Sequence, residues 1–162
     1  MRGSLNCCST TTPQTYVPDN NFEAYLENNG MGNGIPYDDS VFTSAIDTLT
    51  YLDVSMGAGS ATGIFDLTGI EAFTALDNLH CNNNQLTSLD VSNNTALTYL
   101  DCSYNLLTSL DVSNNTALAW LSCESNQLTS LDVRNGNNIN MPTQFIPLRS
   151  TNNPNLFCID VD

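Results

Sequence analysis

His80, Asp101 and Ser122 follow one another at steps of 21 residues. These are the parts of a nucleophilic triad, in which an imidazole takes the serine proton and a carboxylate orients the imidazole. Their order defeats the idea. If equal steps stack residues in a column, the aspartate lies between the other two, leaving histidine and serine roughly 10 Å apart. A base must reach its nucleophile at about 3 Å. With no convergent nucleophile, base or metal set, the chain is expected not to be an enzyme. Cys81, Cys102 and Cys123 keep the same step. Sulfurs in line about 4.8 Å apart do not make the tetrahedron a zinc ion wants. Their spacing also misses the roughly 3.8 Å Cβ separation of a disulfide. Buried thiols packing as small hydrophobes are the expectation. Asp90, Asp111 and Asp132 form a third line. Stacked carboxylates repel and invite a bridging calcium, but capping turn amides is the commoner use of such aspartates. Thr87, Thr108 and Thr129, beside Ser88, Ser109 and Ser130, raise ice binding as an idea. Three rows are short for it, and these residues favour turns. No metal and no cofactor is expected.

The elements that position these lines come from an internal repeat. The segments Leu79 to Tyr99, Leu100 to Trp120 and Leu121 to Met141 read LHCNNNQLTSLDVSNNTALTY, LDCSYNLLTSLDVSNNTALAW and LSCESNQLTSLDVRNGNNINM. Leucines 79, 100 and 121, then 86, 107 and 128, then 89, 110 and 131 all recur at 21 residues, as do Asn84, Asn105 and Asn126. Each unit holds an apolar comb too small to close a core alone, so neighbours must stack and equivalent positions fall into columns. Leu97 to Cys102 starts a strand with Leu100 and Cys102 inward. Asn105 follows where the chain turns, able to satisfy the backbone of the next rung. Upstream, Leu49 to Val54 matches the strand at a step of 27 from Leu79, with six extra residues placed within 56–63. Downstream, Phe145 to Leu156 aligns with Leu107 to Leu118, which makes the last turn short. Leu156 to Val161 supplies a terminal strand, with Cys158 in the outward column of Tyr99 and Trp120. About six rungs are counted, one weakened by Pro142. Before them, Asn20-Asn21-Phe22-Glu23 reads as a helix start with Glu23 reaching back. Phe22, Tyr25 and Leu26 share a face, and Asn28-Asn29-Gly30 ends the helix.

The outward columns of the strands carry the recognition chemistry. One reads Tyr51, Asn78, Tyr99 and Trp120, with Met141 as a candidate fifth member. Another reads Asp53, His80, Asp101 and Ser122. Tyr104 and Glu124 lie further along. Exposed Tyr and Trp mark binding hot spots. The candidate ligand-binding face is therefore Tyr51, Asn78, His80, Tyr99, Asp101, Tyr104, Trp120, Ser122 and Glu124. Such a patch suits a protein loop, or a sugar stacked on Tyr99 and Trp120 with carboxylates taking its hydroxyls.

Seventeen acidic residues against three arginines and no lysine give a net charge of −14. Nucleic acid and anionic lipid need cations to displace their counterions, so the charge argues against both, and neither nucleic-acid binding nor membrane insertion is expected. No apolar run of about 18 residues is present to cross a membrane. Met1-Arg2-Gly3-Ser4 reads like a vector-encoded leader, and the absent apolar export segment is expected to have been trimmed. Disulfides of Cys7, Cys8 and Cys158 cannot be assigned from spacing.

From residue 16 onward the chain resembles bacterial leucine-rich repeats of about 21 residues, with the pattern LxxLxCxxNxLxxLDLxxNxx, called IRREKO repeats. Leu79 to Asn135 carries the match. The leader VPDNNFEAYLE and the ending from Asn153 to Val161 are similar to the flanks of such proteins in marine Bacteroidetes. The resemblance implies a secreted or surface-attached interaction protein without catalytic activity. The expected architecture is a leucine-rich-repeat solenoid of the α/β repeat class: a β-rich right-handed superhelix with a parallel concave sheet and a helical N-terminal cap. Residues 1–15 are expected as a leader or tail, 16–48 as the cap, 49–138 as repeats, and 139–162 as an irregular last repeat and closing cap. The expected function is protein recognition on the concave face of an extracellular monomer, with polysaccharide binding through Tyr99 and Trp120 as the alternative.

Overall fold

The computed structural model describes residues 12–56, 63–136 and 148–161. Its frame is two parallel sheets made of strands two or three residues long. The long sheet runs β3 (Tyr51–Asp53), β4 (Asn78–His80), β5 (Tyr99–Asp101), β7 (Trp120–Ser122) and β9 (Leu148–Arg149). The second sheet joins β6 (Ser109–Asp111), β8 (Ser130–Asp132) and β10 (Cys158–Asp160). Leu52, Leu79, Leu100, Leu121 and Leu148 stand opposite one another in register. That register is what equal sequence steps demand if each unit is one turn of a solenoid.

The combs close the core. Leu76, Leu97 and Leu118, the central Leu79, Leu100 and Leu121, the three cysteines, then Leu86, Leu107 and Leu128 are all fully buried, while Leu148 on the last rung is partly so. Each such leucine contributes about 1.5–3 kcal/mol by leaving water. Two amide ladders satisfy the backbone between them. Asn105 donates its Nδ2 to the carbonyls of Cys81 and Cys102 at 3.0 and 3.1 Å, and its Oδ1 accepts from Leu86 N at 3.0 Å. Asn84, Asn126 and Asn153 repeat the arrangement on their own rungs. A second pair, Asn94 and Asn115, is fully buried and donates to carbonyls of the rung before, Ile70 and Phe73 for the first, Val91 and Asn94 for the second.

At the N-terminal end, β1 (Gln14–Tyr16) pairs antiparallel with β2 (Ser40–Phe42), and α1 (Asn20–Asn28) lies between them in sequence. Phe22 and Leu26 enter the core, where the Phe22 ring stacks on Phe73 at 6.4 Å. The helix start differs from expectation. Asp19 is the cap: its Oδ1 accepts from Asn21 N and Phe22 N, and its Oδ2 from Phe65 N and Asp66 N. One carboxylate thus joins the helix to the first repeat. Glu23 does not reach back; it is buried and its Oε1 accepts from Asp38 N instead. The helix ends at Asn28 with Asn29 as its C-terminal cap, followed by Gly30 at φ 74°, a left-handed turn glycine tolerates without strain.

The last rung also departs from the sequence alignment. Leu148 pairs with Leu121 at a step of 27, and Asn153 takes the ladder place after Asn126 at the same step. The turn is therefore long, not short. Among the described residues, five rungs form the long sheet. Cys158 stands opposite Ser130 in the second sheet, not in the Tyr99 and Trp120 column. The proposed weak rung near 139–144, with Pro142 and Met141, lies outside the described residues, as do Cys7 and Cys8.

Candidate functional site

The exposed face of the long sheet carries a row of flat side chains. In register, Tyr51 faces Asn78, then Tyr99, then Trp120, while Asp53 faces His80, Asp101 and Ser122. Asn78 would break the aromatic row, but His80 leans across from the neighbouring column to fill it. Its ring is 5.5 Å from Tyr51 and 4.7 Å from Tyr99. Tyr99 and Trp120 are parallel within 2° at 4.1 Å, and the Arg149 guanidinium lies 5.7 Å from the Trp120 ring centre. The row is thus Tyr51, His80, Tyr99, Trp120 and Arg149, one from each rung. A stacked pair of this kind contributes about 0.5–1.5 kcal/mol beyond its burial. Sequence reasoning placed the members but missed Arg149, whose rung could not be counted across the long turn.

The geometry decides what the rings offer. Strands about 4.8 Å apart bring equivalent rings to stacking distance, so each inner ring spends its faces on its neighbours. What the inner rings leave to solvent is a line of edges, an imidazole, a phenol and an indole, while Tyr51 at the end has a ring neighbour on one side. Burial raises the Tyr99 phenol pKa, and the Asp101 charge adds to this against the opposing Arg149.

Carboxylates flank the row. Asp101 Oδ1 accepts from Ser103 N at 3.1 Å and from the Ser103 hydroxyl. Burial opposes the charge on Asp53, but bonds from Ser55 and the nearby His80 hold its carboxyl below the usual range. Glu124 is half-buried and accepts from the Thr151 hydroxyl at 3.2 Å. Tyr104 is 51% exposed at the rim, at φ 55°. Asn83, Ser125 and Asn152 hold the same left-handed conformation on their rungs. An L side chain there is strained by about 1–2 kcal/mol, and small polar residues bear it best, so a tyrosine is the costly choice. Ser122 is a correction to the expected face. It is 2% exposed, a small residue between Asp101 and Arg149 in its column, and offers a ligand little.

The other lines settle into structural work. Cys81, Cys102 and Cys123 are fully buried free thiols. Burial pushes all three pKa values up, that of Cys123 to about 12. Asp90, Asp111 and Asp132 each accept the backbone N–H two residues on, in the turn-capping role. Among the described residues no group of three His, Cys, Asp or Glu side chains is placed to hold a metal. Among the described residues no helix is long and apolar enough to cross a membrane. A groove of about 770 Å³ lies away from the ring row, lined by Asp66, Glu71, Ser88, Asp90 and Asp111 among others. Asp66, Asp90 and Asp111 each have one oxygen committed to a turn N–H, as Glu71 has to Gly69 N.

No protein-family model matches the chain, and a search of curated proteins finds no match. Solved structures do match. The functional domain of InlJ from Listeria monocytogenes, which includes a cysteine ladder, is 34% identical over 92% of this chain and 28% of that one, with a TM-score of 0.59. An internalin, InlF, from the same organism is 22% identical over 90% of this chain and 44% of that one, at a TM-score of 0.57. The chain spans less than half of either protein. Parallel registers, buried leucine combs and these neighbours make the fold a leucine-rich-repeat solenoid.

Proposed function

We propose that the chain is a non-catalytic recognition module, secreted or displayed at a cell surface, that binds a protein partner through the long sheet. The observation that carries this reading is the continuous row from Tyr51 to Arg149, flanked by carboxylates and half-open to solvent. Such a row is rigid before binding, so little ordering is lost when a partner docks. Tyr, Trp and Arg are the residues that dominate protein interfaces. Internalin-like neighbours support an interaction or adhesion role. The strained Tyr104 at the rim fits a residue kept for contact at a cost in stability.

The polysaccharide alternative meets a geometric obstacle. Stacking a sugar needs a free ring face, and Trp120 has Tyr99 on one side and Arg149 on the other. The deciding experiment captures extracellular proteins on the immobilised chain and repeats the capture with Tyr99→Ala/Trp120→Ala. Loss of one defined protein in that variant, with retention in Thr87→Ala/Thr108→Ala on the other side, supports the reading. Retention in both variants refutes it. A saturable Trp120 fluorescence change with one glycan would put sugar in the protein's place.

A further inference from the structure

We propose that the Tyr51 end of the ring row is a seat for an arginine side chain of the partner, with the guanidinium flat on Tyr51 and paired to Asp53. The proposal rests on the recognition reading and adds the chemistry of one contact. The molecule contains its own precedent. At the far end of the row, the Arg149 guanidinium closes the stack over Trp120. At the near end, among the described residues, Tyr51 has a ring neighbour on one side only, His80, and is 56% exposed. The row is lidded by a cation at one end and open at the other.

Asp53 supplies the anion. Its Oδ1 is occupied by the Ser55 N–H at 3.0 Å and the Ser55 hydroxyl. Its Oδ2 has one long contact, the Tyr51 hydroxyl at 3.4 Å, and can accept more. The turn therefore fixes the carboxylate while leaving one oxygen for a ligand. Tyr25 of α1 stands near enough to feel the charges of Asp53 and Tyr51, which adds a second phenol to the surroundings.

Nothing within the described part of the chain competes for the seat. Arg134 is paired with Asp132 on the second sheet, and Arg149 is four strand spacings away, about 19 Å. The chain has no lysine. A partner approaching a surface of net charge −14 is steered by its own cations. Guanidinium suits the seat better than ammonium, because it is planar, stacks on a phenol and can donate an in-plane N–H to the open Oδ2 while it does so.

The test uses capped tripeptides, acetyl-Gly-Arg-Gly-amide and its citrulline and lysine counterparts, titrated into chain carrying ¹³C-labelled tyrosine rings. Citrulline keeps the shape of arginine and removes its charge. Saturable movement of the Tyr51 ring signals is expected with the arginine peptide, with a Kd on the order of millimolar. The citrulline peptide is expected to bind about tenfold more weakly, and lysine in between. Asp53→Asn, whose amide oxygen can still accept from Ser55, lowers affinity about three- to tenfold. Tyr51→Phe, observed on ¹³C-labelled phenylalanine, keeps binding, and Tyr51→Leu loses it. Asp111→Asn makes the same charge change on the second sheet and leaves affinity unchanged. The proposal is overturned if citrulline binds equally, if Asp53→Asn and Asp111→Asn weaken binding alike, or if Tyr51 stays silent at saturation. None of these results touches Tyr99 or Trp120, so the seat can fail while the capture experiment still supports recognition.

Discussion

Replacing Asn105 by alanine tests whether the amide ladder, and not the leucine comb alone, holds neighbouring rungs together. Asn105 is 5% exposed and, besides a longer bond to the Ser103 carbonyl at 3.2 Å, serves three backbone groups. Two of them have a second donor: the Cys81 carbonyl also receives Asn84 Nδ2, and the Cys102 carbonyl also receives Asn126 Nδ2. Losing those two bonds costs about 0.5–1.5 kcal/mol each. The Leu86 N–H has its acceptor in Asn105 Oδ1, and stranding it inside the core costs about 1–3 kcal/mol. The expected loss is about 4 kcal/mol, a large part of the 5–15 or so kcal/mol of an ordinary domain. Urea titration followed by circular dichroism at neutral pH measures it. A loss under about 1 kcal/mol would refute the argument, since even the stranded N–H alone should exceed that. Asn105→Asp sharpens the test. The carboxylate still accepts from Leu86 N, but its second oxygen now faces two carbonyls. That raises its folded pKa, so the variant is weak at neutral pH and recovers as pH falls through that raised value.

Further outcomes follow from other residues. With Cys7 and Cys8 replaced by serine, one thiol, the half-exposed Cys158, should react with a disulfide reagent at pH about 8, while the three buried thiols with raised pKa values react after denaturation. Reaction of four thiols in the folded chain would contradict their burial. Tyr104→Asn should raise stability by up to about 1 kcal/mol, by relieving a left-handed tyrosine, and weaken partner binding. A melt showing lower stability would mean that Tyr104 packs for the fold. Bonds from the Arg134 side chain hold the Asp132 carboxyl down to about 2, from an ordinary 3.8. A depressed folded pKa gives stability above the unfolded value that is lost as pH falls. The stability gap between wild type and Arg134→Gln should therefore be full above pH about 4 and close by pH about 2. A gap constant through that range would show that the pair adds nothing through its charge.

How much of this was legible in the letters varies with the kind of residue. Wherever the step is 21, side chains land where counting puts them: Leu100 on Leu121, Tyr99 on Trp120, Cys81 beside Cys102. Stacking is one-dimensional, so a constant period converts directly into space. Counting fails once the step changes. A turn of 27 residues before Leu148 leaves several alignments open in the sequence, and only core closure selects the one that places Arg149 over Trp120. Orientation within a column is also not counted. His80 occupies an acidic column and leans out of it because rings on both sides attract it, and Ser122 is overshadowed because its neighbours are larger. At the N-terminal end no period exists. There Glu23 looked like a capping residue, while Asp19 took the part because its two oxygens satisfy the helix and the first repeat together.

The joint between rungs is the same amide device each time, which gives the chain a genetic property. Deleting Leu100 through Trp120 in frame would splice Tyr99 onto Leu121 and hand the duties of Asn105 to Asn126, with no new kind of junction created. Duplicating the same stretch would lengthen the molecule as cleanly. The length of its ring-bearing sheet can thus be altered by unequal recombination in whole steps of 21 codons, without inventing a new kind of joint inside.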